Sequence, residues 1–417
     1  MKRRSTSVAV SDYPLEVFPN WNILSKEKYH IAAPVDKLGE WAYHLRTHLT
    51  SLILAGNPAT IFLQSFNSTL LTKIAFVFSW FGLEEFFFSL IVSMIWLFDA
   101  RLGRLLAILL SIGFYVCGTL KVSLCLPRPP APPALRFSEE DRDWAWPSNH
   151  ALMGTVFPWF IWMYSCKHYD MSLTSSLILL TTVLIWNTGV SWSRVYLGVH
   201  SPCDVLAGWT IGVLILFVYS GFSDRLYDVY IESSKNDSSF FVYLYTLALV
   251  LLYIFPRSWP ETQSYMEVVS ILGGTAAIWC GRVLKLDGSD LPSSALLEQN
   301  PGATFIQLLT RFVVGVVAVL LARVVMKAIS KMAFRGLYNY LGLKFYSYSA
   351  MCKSLGDMQP TKRYTSRMRF KPILGVKTIT PELAPYDIDL PVKFVVYSTV
   401  GLTVGEICPF LFQHFGI

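Results

Sequence analysis

Runs of about 20 apolar residues recur along this chain, and each, as a helix, can span about 30 Å of hydrocarbon. That repetition limits the fold to an all-α, polytopic membrane helix bundle, because in lipid a helix satisfies its own backbone. Candidate spans fall at 72–98, 103–120, 150–165, 173–191, 202–221, 239–255, 264–283, 304–328 and 392–413. The alternating segments of about ten residues that a membrane β-barrel requires are absent. Composition agrees, with 53% hydrophobic and 15% charged residues and a mean hydropathy of +0.44.

The remaining stretches carry less information. A net charge of +7 suits a membrane surface, and no basic motif with interleaved aromatics points to nucleic acid. Seven scattered cysteines suggest neither a disulfide framework nor a zinc site. The basic start MKRR has no apolar core behind it, so a cleaved signal peptide is not expected. His44 and His48 stand at helical spacing, but no third metal ligand lies near, and an interfacial helix is the simpler reading. A weaker amphipathic stretch at 51–70 lies on the membrane or forms part of a further helix. Glu84 and Glu85 sit beside FFF, where acids are costly and mark function unless the segment brings them to an interface. Five prolines between Leu126 and Ala134 forbid a helix there. From Lys331 to Lys377 ten Lys/Arg face one acid, Asp357, which reads as a lipid-facing loop. Trp144, Trp146 and Trp192 read as interfacial belt residues.

Three polar islands stand at the ends of apolar helices. KVSLCLPRP carries Lys121 and Arg128, WPSNH ends on His150, and SWSRVYLGVHSPCD carries Arg194, His200 and Asp204. Alternate connections of an antiparallel bundle emerge on one side of the membrane, so the three islands share a face. Three cations without carboxylate partners at helical spacing suit a phosphate, arginine through its fork and lysine as a point charge. Ser148 reads as an N-cap whose helix offers free backbone N–H groups to an anion. Ser201-Pro202 reads as N-cap and N1, with Asp204 in the first turn and within reach of His200. A carboxylate on one imidazole nitrogen fixes the tautomer and leaves the other as a nucleophile. His150 is then the acid for a departing alkoxide. Singly, each residue has a plainer role as a snorkelling anchor, a topology signal or a first-turn acid. Five charged or titratable positions on one face, in this order, outweigh those readings.

Lys121-x6-Arg128-Pro129, Pro147-Ser148-x-His150 and Ser193-Arg194-x5-His200-x3-Asp204 together resemble the three-part signature of the type 2 phosphatidic acid phosphatase (PAP2) superfamily. The motifs cover 121–204, and the helix pattern extends the likeness to roughly 72–221. One departure is Asn149, where the family usually carries glycine. That substitution and the number of apolar segments are similar to the sphingosine-phosphate phosphatase branch. The resemblance implies a metal-independent lipid phosphatase without cofactors that works through a phosphohistidine. His200 would be the nucleophile, Asp204 its orienter and His150 the proton donor. Lys121, Arg128, Ser148, the Asn149 backbone and Arg194 would hold the phosphate.

The expected organisation is therefore a polar to amphipathic segment over 1–71, a PAP2-like catalytic membrane core over 72–221, and additional C-terminal helices over 222–417 with a basic loop at 331–391. The expected substrates are sphingoid long-chain base 1-phosphates, with phosphatidate or isoprenoid diphosphates as alternatives, because a phosphate grip says nothing about the tail. An anionic-lipid transporter or binding protein is the alternative of another class. Expected partners are the lipid phosphate and membrane lipids, with homo-oligomerisation left open. The resemblance implies the endoplasmic reticulum membrane and a lumenal site. Positive charge in the 331–377 block would instead place the site side in the cytosol.

Overall fold

The structure is a computed structural model that describes residues 40–131, 133–137, 143–236, 240–256, 262–280, 301–347 and 386–417. Two short helices, α1 (Glu40–Ala55) and α2 (Asn57–Ser65), precede the apolar region. Then come α3 (Thr69–Trp80) and α4 (Glu84–Phe98), whose last turn is π-helical. The helices α5 (Ala100–Leu124), α6 (Asn149–His168), α7 (Leu173–Tyr196) and α8 (Pro202–Asn236) follow. Beyond them lie α9 (Phe240–Ile254), α10 (Gln263–Ile278), α11 (Pro301–Tyr340) and α12 (Asp389–Phe415), the last interrupted by a π-turn at Thr403–Ile407. A two-residue parallel pairing joins β1 (Phe345–Tyr346) to β2 (Tyr386–Asp387).

Among the described residues five helices, α5, α7, α8, α11 and α12, are long and apolar enough to cross a membrane, and the α3–α4 pair makes a sixth if taken as one span. The chain is a multi-pass membrane protein. The span expected at 72–98 is not one helix: it breaks after Trp80 and bends by 55° before Glu84. Glu84 and Glu85 occupy the first turn of α4, at that break, where acids favour the helix dipole.

The core gathers around α5. Leu105, Leu106, Leu109 and Phe114 from α5 pack with Met153, Val156 and Phe157 of α6 and with Val268 and Leu272 of α10. Between apolar helices in lipid, close packing and interhelical hydrogen bonds replace the hydrophobic effect as the source of cohesion. One such bond runs from Ser111 Oγ on α5 to Thr275 Oγ1 on α10 (2.8 Å). The two ends of the bundle differ in chemistry. At one end Asp99 caps α5 and accepts from Tyr164 (2.9 Å) and Tyr169 (2.5 Å). Nearby, Asp224 pairs with Arg101, Lys167 and His168. The other end carries the three polar islands, at the C-termini of α5 and α7 and the N-termini of α6 and α8.

Two expected boundaries differ from the structure. The division at 221/222 falls inside α8, which runs on to Asn236 because nothing between Gly221 and Asn236 stops a helix. The basic stretch expected as a loop over 331–391 begins as helix: α11 continues through Lys331 and Arg335 to Tyr340, and α12 starts at Asp389. Lys and Arg are good helix formers, and the first stop is Gly342 at φ +66°. The rest of the basic block, 348–377, lies outside the described residues, as do residues 1–39.

Candidate active site

Lys121 lies in the last turn of α5 and is buried. The helix ends at Cys125, a left-handed C-cap (φ +49°) whose N–H donates to Lys121 O. The carbonyls that a helix end leaves without partners are taken by Arg46 of α1. Its Nε donates to Leu124 O (3.1 Å) and its Nη2 to Cys125 O (3.3 Å). The proline-rich connection then turns back, with Ala145 N donating to Leu126 O (3.0 Å). Arg128 ties two connections together: Nε donates to Asp143 O (3.2 Å) and Nη1 to Val199 O (3.0 Å).

Ser148 caps α6, its hydroxyl accepting from Ala151 N, and the O–H remains a donor. The start of α6 is bonded directly to the start of α8, since Ser148 N donates to Asp204 O (3.1 Å). So close a crossing requires glycine: a Cβ on Gly208 would lie 2.7 Å from Ser148 O. Asn149 opens α6, and among the described residues its Oδ1 has no hydrogen-bond partner. His150 follows, with its ring against Gly82 in the α3–α4 break, where a Cβ would meet His150 Cδ2 at 2.5 Å.

Arg194, in the last turn of α7, is fully buried, and its Nη1 donates to Ser79 Oγ on α3 (2.7 Å). The chain then turns through Gly198 to His200, 2% exposed. Ser201 and Asp204 bond reciprocally: Asp204 N donates to Ser201 Oγ (3.2 Å), and Ser201 N donates to Asp204 Oδ2 (2.6 Å). This capping exchange fixes the first turn of α8, with Pro202 at its head. The expected hydrogen bond from His200 to Asp204 is not formed here. His200 Nδ1 stands 3.6 Å from Asp204 Oδ2, because the cap aims that oxygen at the Ser201 N–H.

Arg128, Arg194, Lys121 and His150, from four different segments, all act electrostatically on His200. Burial first, and then these cations, hold its imidazole well below the ordinary value of 6.5. A neutral, buried imidazole ringed by cations offers a ring nitrogen as nucleophile beside a seat for an oxyanion. The first-turn N–H groups of α6 add dipole to the same seat.

Sequence reading missed several participants. Asp143 is the carboxylate partner of Lys121 (2.5 Å), supplied by the loop rather than by helical spacing. Gln64 of α2 clamps the proline-rich connection. Its Nε2 donates to Leu135 O (2.7 Å) and Tyr196 O (2.9 Å), while its Oε1 accepts from Leu135 N (2.8 Å). Arg46 and Ser79 complete the set. The one local hint was that Arg46 and Gln64 lay on amphipathic stretches and Ser79 in an apolar one. Of the expected belt residues, Trp144 is buried at 2% exposure, Trp146 packs against the cluster of Ile53, Leu124 and Leu126, and Trp192 stacks on Tyr196. Trp144 belongs to the folded loop rather than to an interface. Among the described residues no three His, Cys, Asp or Glu gather as a metal site, and that includes His44 and His48.

Comparison with known proteins adds a likeness. Residues 101–227 match the PAP2 superfamily, a stretch that holds every polar island. The chain is 26% identical over 349 residues to lipid phosphate phosphatase delta of Arabidopsis thaliana, covering 79% of each. It is 24% identical over 347 residues to sphingosine-1-phosphate phosphatase 1 of Rattus norvegicus, covering 81% of this chain and 70% of that one. With a dihydrosphingosine 1-phosphate phosphatase of Schizosaccharomyces pombe it shares 25% identity over 323 residues, 74% of this chain and 75% of the relative.

Proposed function

From a chain whose residues 101–227 form a PAP2 superfamily domain, we propose a membrane phosphatase that hydrolyses sphingoid long-chain base 1-phosphates. The observation that carries this reading is the buried His200, with Asp204 Oδ2 3.6 Å from its Nδ1, Arg128 donating to the adjacent Val199 O (3.0 Å), and Ser148 at the start of α6 bonded to Asp204 O (3.1 Å). Relatives named as phosphatases of sphingosine and dihydrosphingosine 1-phosphate along most of the chain supply the substrate class.

In this reading Lys121, Arg128, Arg194, the Ser148 hydroxyl and the Asn149 N–H hold the three non-bridging oxygens of the phosphate. With Nδ1 turned toward Asp204, Nε2 of His200 attacks phosphorus. The bond from phosphorus to the ester oxygen breaks, and His150 gives its proton to the departing alkoxide. Water then attacks the phosphohistidine while His150 takes a proton, releasing inorganic phosphate and restoring both rings. The charge that builds on the phosphate oxygens is met by fixed cations, which makes this route independent of a metal ion. The reading places the enzyme in the endoplasmic reticulum membrane, with the region from residue 72 to the end of α8 as its catalytic core.

The test is phosphate release by the detergent-solubilised protein in EDTA. Sphingoid base 1-phosphate, phosphatidate and a prenyl diphosphate are compared side by side. The expected result is turnover of the first, highest of the three, retained in EDTA and reduced to background in His200→Ala. Preference for either other lipid would change the substrate, activity lost in EDTA would overturn metal independence, and binding without turnover would mean a lipid-binding protein or transporter.

A further inference from the structure

A carboxylate stands inside the phosphate grip. Asp143 Oδ2 accepts from Lys121 Nζ (2.5 Å) and from Ser264 Oγ on α10 (2.7 Å). Its backbone oxygen accepts from Arg128 Nε (3.2 Å). Asp143 is thus fastened to two of the three cations expected to hold the phosphate. Its other oxygen, Oδ1, is buried and among the described residues has no hydrogen-bond partner.

For a phosphate site this is a poor arrangement by itself. A carboxylate next to the anion seat repels a phosphate dianion and competes with it for Lys121. The arrangement becomes favourable only if the ligand brings a cation of its own, close to the phosphate. A sphingoid base 1-phosphate does: its ammonium is separated from phosphorus by two carbons and the ester oxygen.

We propose that Asp143 receives the 2-ammonium of the sphingoid base, so that it selects amino-bearing lipid phosphates over those that lack the amine. The inference rests on the phosphatase reading above and adds to it the residue that reads the headgroup. Lys121 moves to the phosphate, and the ammonium takes its place against Asp143 as a charge-assisted pair. Ser264 holds one carboxylate oxygen in position. Glu267, one turn along α10, accepts from Gln263 Nε2 (2.9 Å). Ser264 and Glu267 lie beyond residue 227, outside the stretch that matches the family. Asp143 itself lies inside that stretch, and α10 contributes the Ser264 hydroxyl that holds it.

The experiment compares sphinganine 1-phosphate with its N-acetyl derivative, which keeps phosphate and chain but lacks the charge. Values of kcat/KM are measured for the full-length wild type, Asp143→Asn, Asp143→Glu and Ser264→Ala in detergent. The wild type is expected to favour the free amine by about tenfold or more, since a site built around a charged partner discriminates against ligands that leave it unpaired. In Asp143→Asn the free-amine value is expected to fall about tenfold more than the N-acetyl value, which removes the preference. Asp143→Glu restores part of the preference. If Asp143→Asn does not fold, Ser264→Ala, which removes only a hydroxyl, still lowers the preference. Equal loss on both compounds overturns the proposal and leaves Asp143 a support for Lys121. A wild type that cleaves both compounds equally overturns this inference alone, and one inert to both overturns it together with the function it rests on.

Discussion

Asp204 Oδ2 stands 3.6 Å from His200 Nδ1 and 2.6 Å from the Ser201 N–H, so one carboxylate oxygen serves the cap of α8 and faces the imidazole. Among the described residues neither His200 Nδ1 nor Asp204 Oδ1 has a hydrogen-bond partner. Catalytic hydrogen bonds are often long without substrate and tighten as charge develops.

The two duties of Asp204 separate by mutation. Asp204→Asn keeps an oxygen for the Ser201 N–H but removes the charge that stabilises a cationic imidazole. It is expected to lower kcat by about 10²–10⁴-fold, the usual scale for a general acid–base partner, with little change in thermal stability. Asp204→Ala also loses the cap and costs a further ~1 kcal/mol. Steady-state kinetics and thermal unfolding in detergent separate the two effects, and an unchanged kcat in Asp204→Asn would remove the carboxylate from the mechanism.

The pH dependence of stability reports on His200. Burial, and then Arg128, Arg194, Lys121 and His150, hold its folded pKa well below 6.5, while in the unfolded chain it returns to about 6.5. Because the folded value is the lower one, the unfolded state binds the extra proton first. The stabilisation is fully present above about pH 6.5 and is lost as pH falls from there toward the folded pKa. Wild-type Tm should therefore decline between pH 7 and 5 more steeply than that of His200→Gln, which has no proton to take up. Parallel declines would show that the ring is not held neutral.

Two glycines test how the backbone seats the histidines. A Cβ on Gly82 meets the His150 ring at 2.5 Å, and the ring must turn to accept it. Gly82→Ala should lower kcat by about tenfold or more, within the 10²–10⁴-fold that general acid catalysis supplies, with a small change in Tm. A Cβ on Gly208 meets Ser148 O, a backbone atom, at 2.7 Å. Gly208→Ala must push α6 from α8 and should cost about 1–3 kcal/mol as overpacking, read as a lower Tm together with lost activity.

The Gln64 clamp carries a stability prediction. Gln64→Ala deprives Leu135 and Tyr196 of three hydrogen bonds and leaves the buried Tyr196 carbonyl without this donor, at about 1–3 kcal/mol. Hydrogen exchange at the Leu135 amide should accelerate, and KM should rise as Arg128 loses its support. An exchange rate equal to wild type would mean that the clamp is dispensable.

Much of the site was legible because its rules are local. Hydropathy over about 20 residues marks a span, and Ser148 and Ser201-Pro202 announce helix starts through bonds made within three residues. The bend at 81–83 was not legible, since apolar residues continue across it and only Gly82 marks the break. Nor was the length of α11, because basic residues extend a helix as readily as they line a loop.

Residue order alone placed Lys121, Arg128, Ser148, His150, Arg194, His200 and Asp204 at helix ends on one side of a membrane bundle. Folding in three dimensions decided which carboxylate met Lys121, which arginine closed the end of α5, and what pressed on the His150 ring. Those pairings join positions from 22 to 79 apart, through loops without periodicity. Caps and apolar runs are written in neighbouring residues, whereas long-range partners are chosen by how the whole bundle packs.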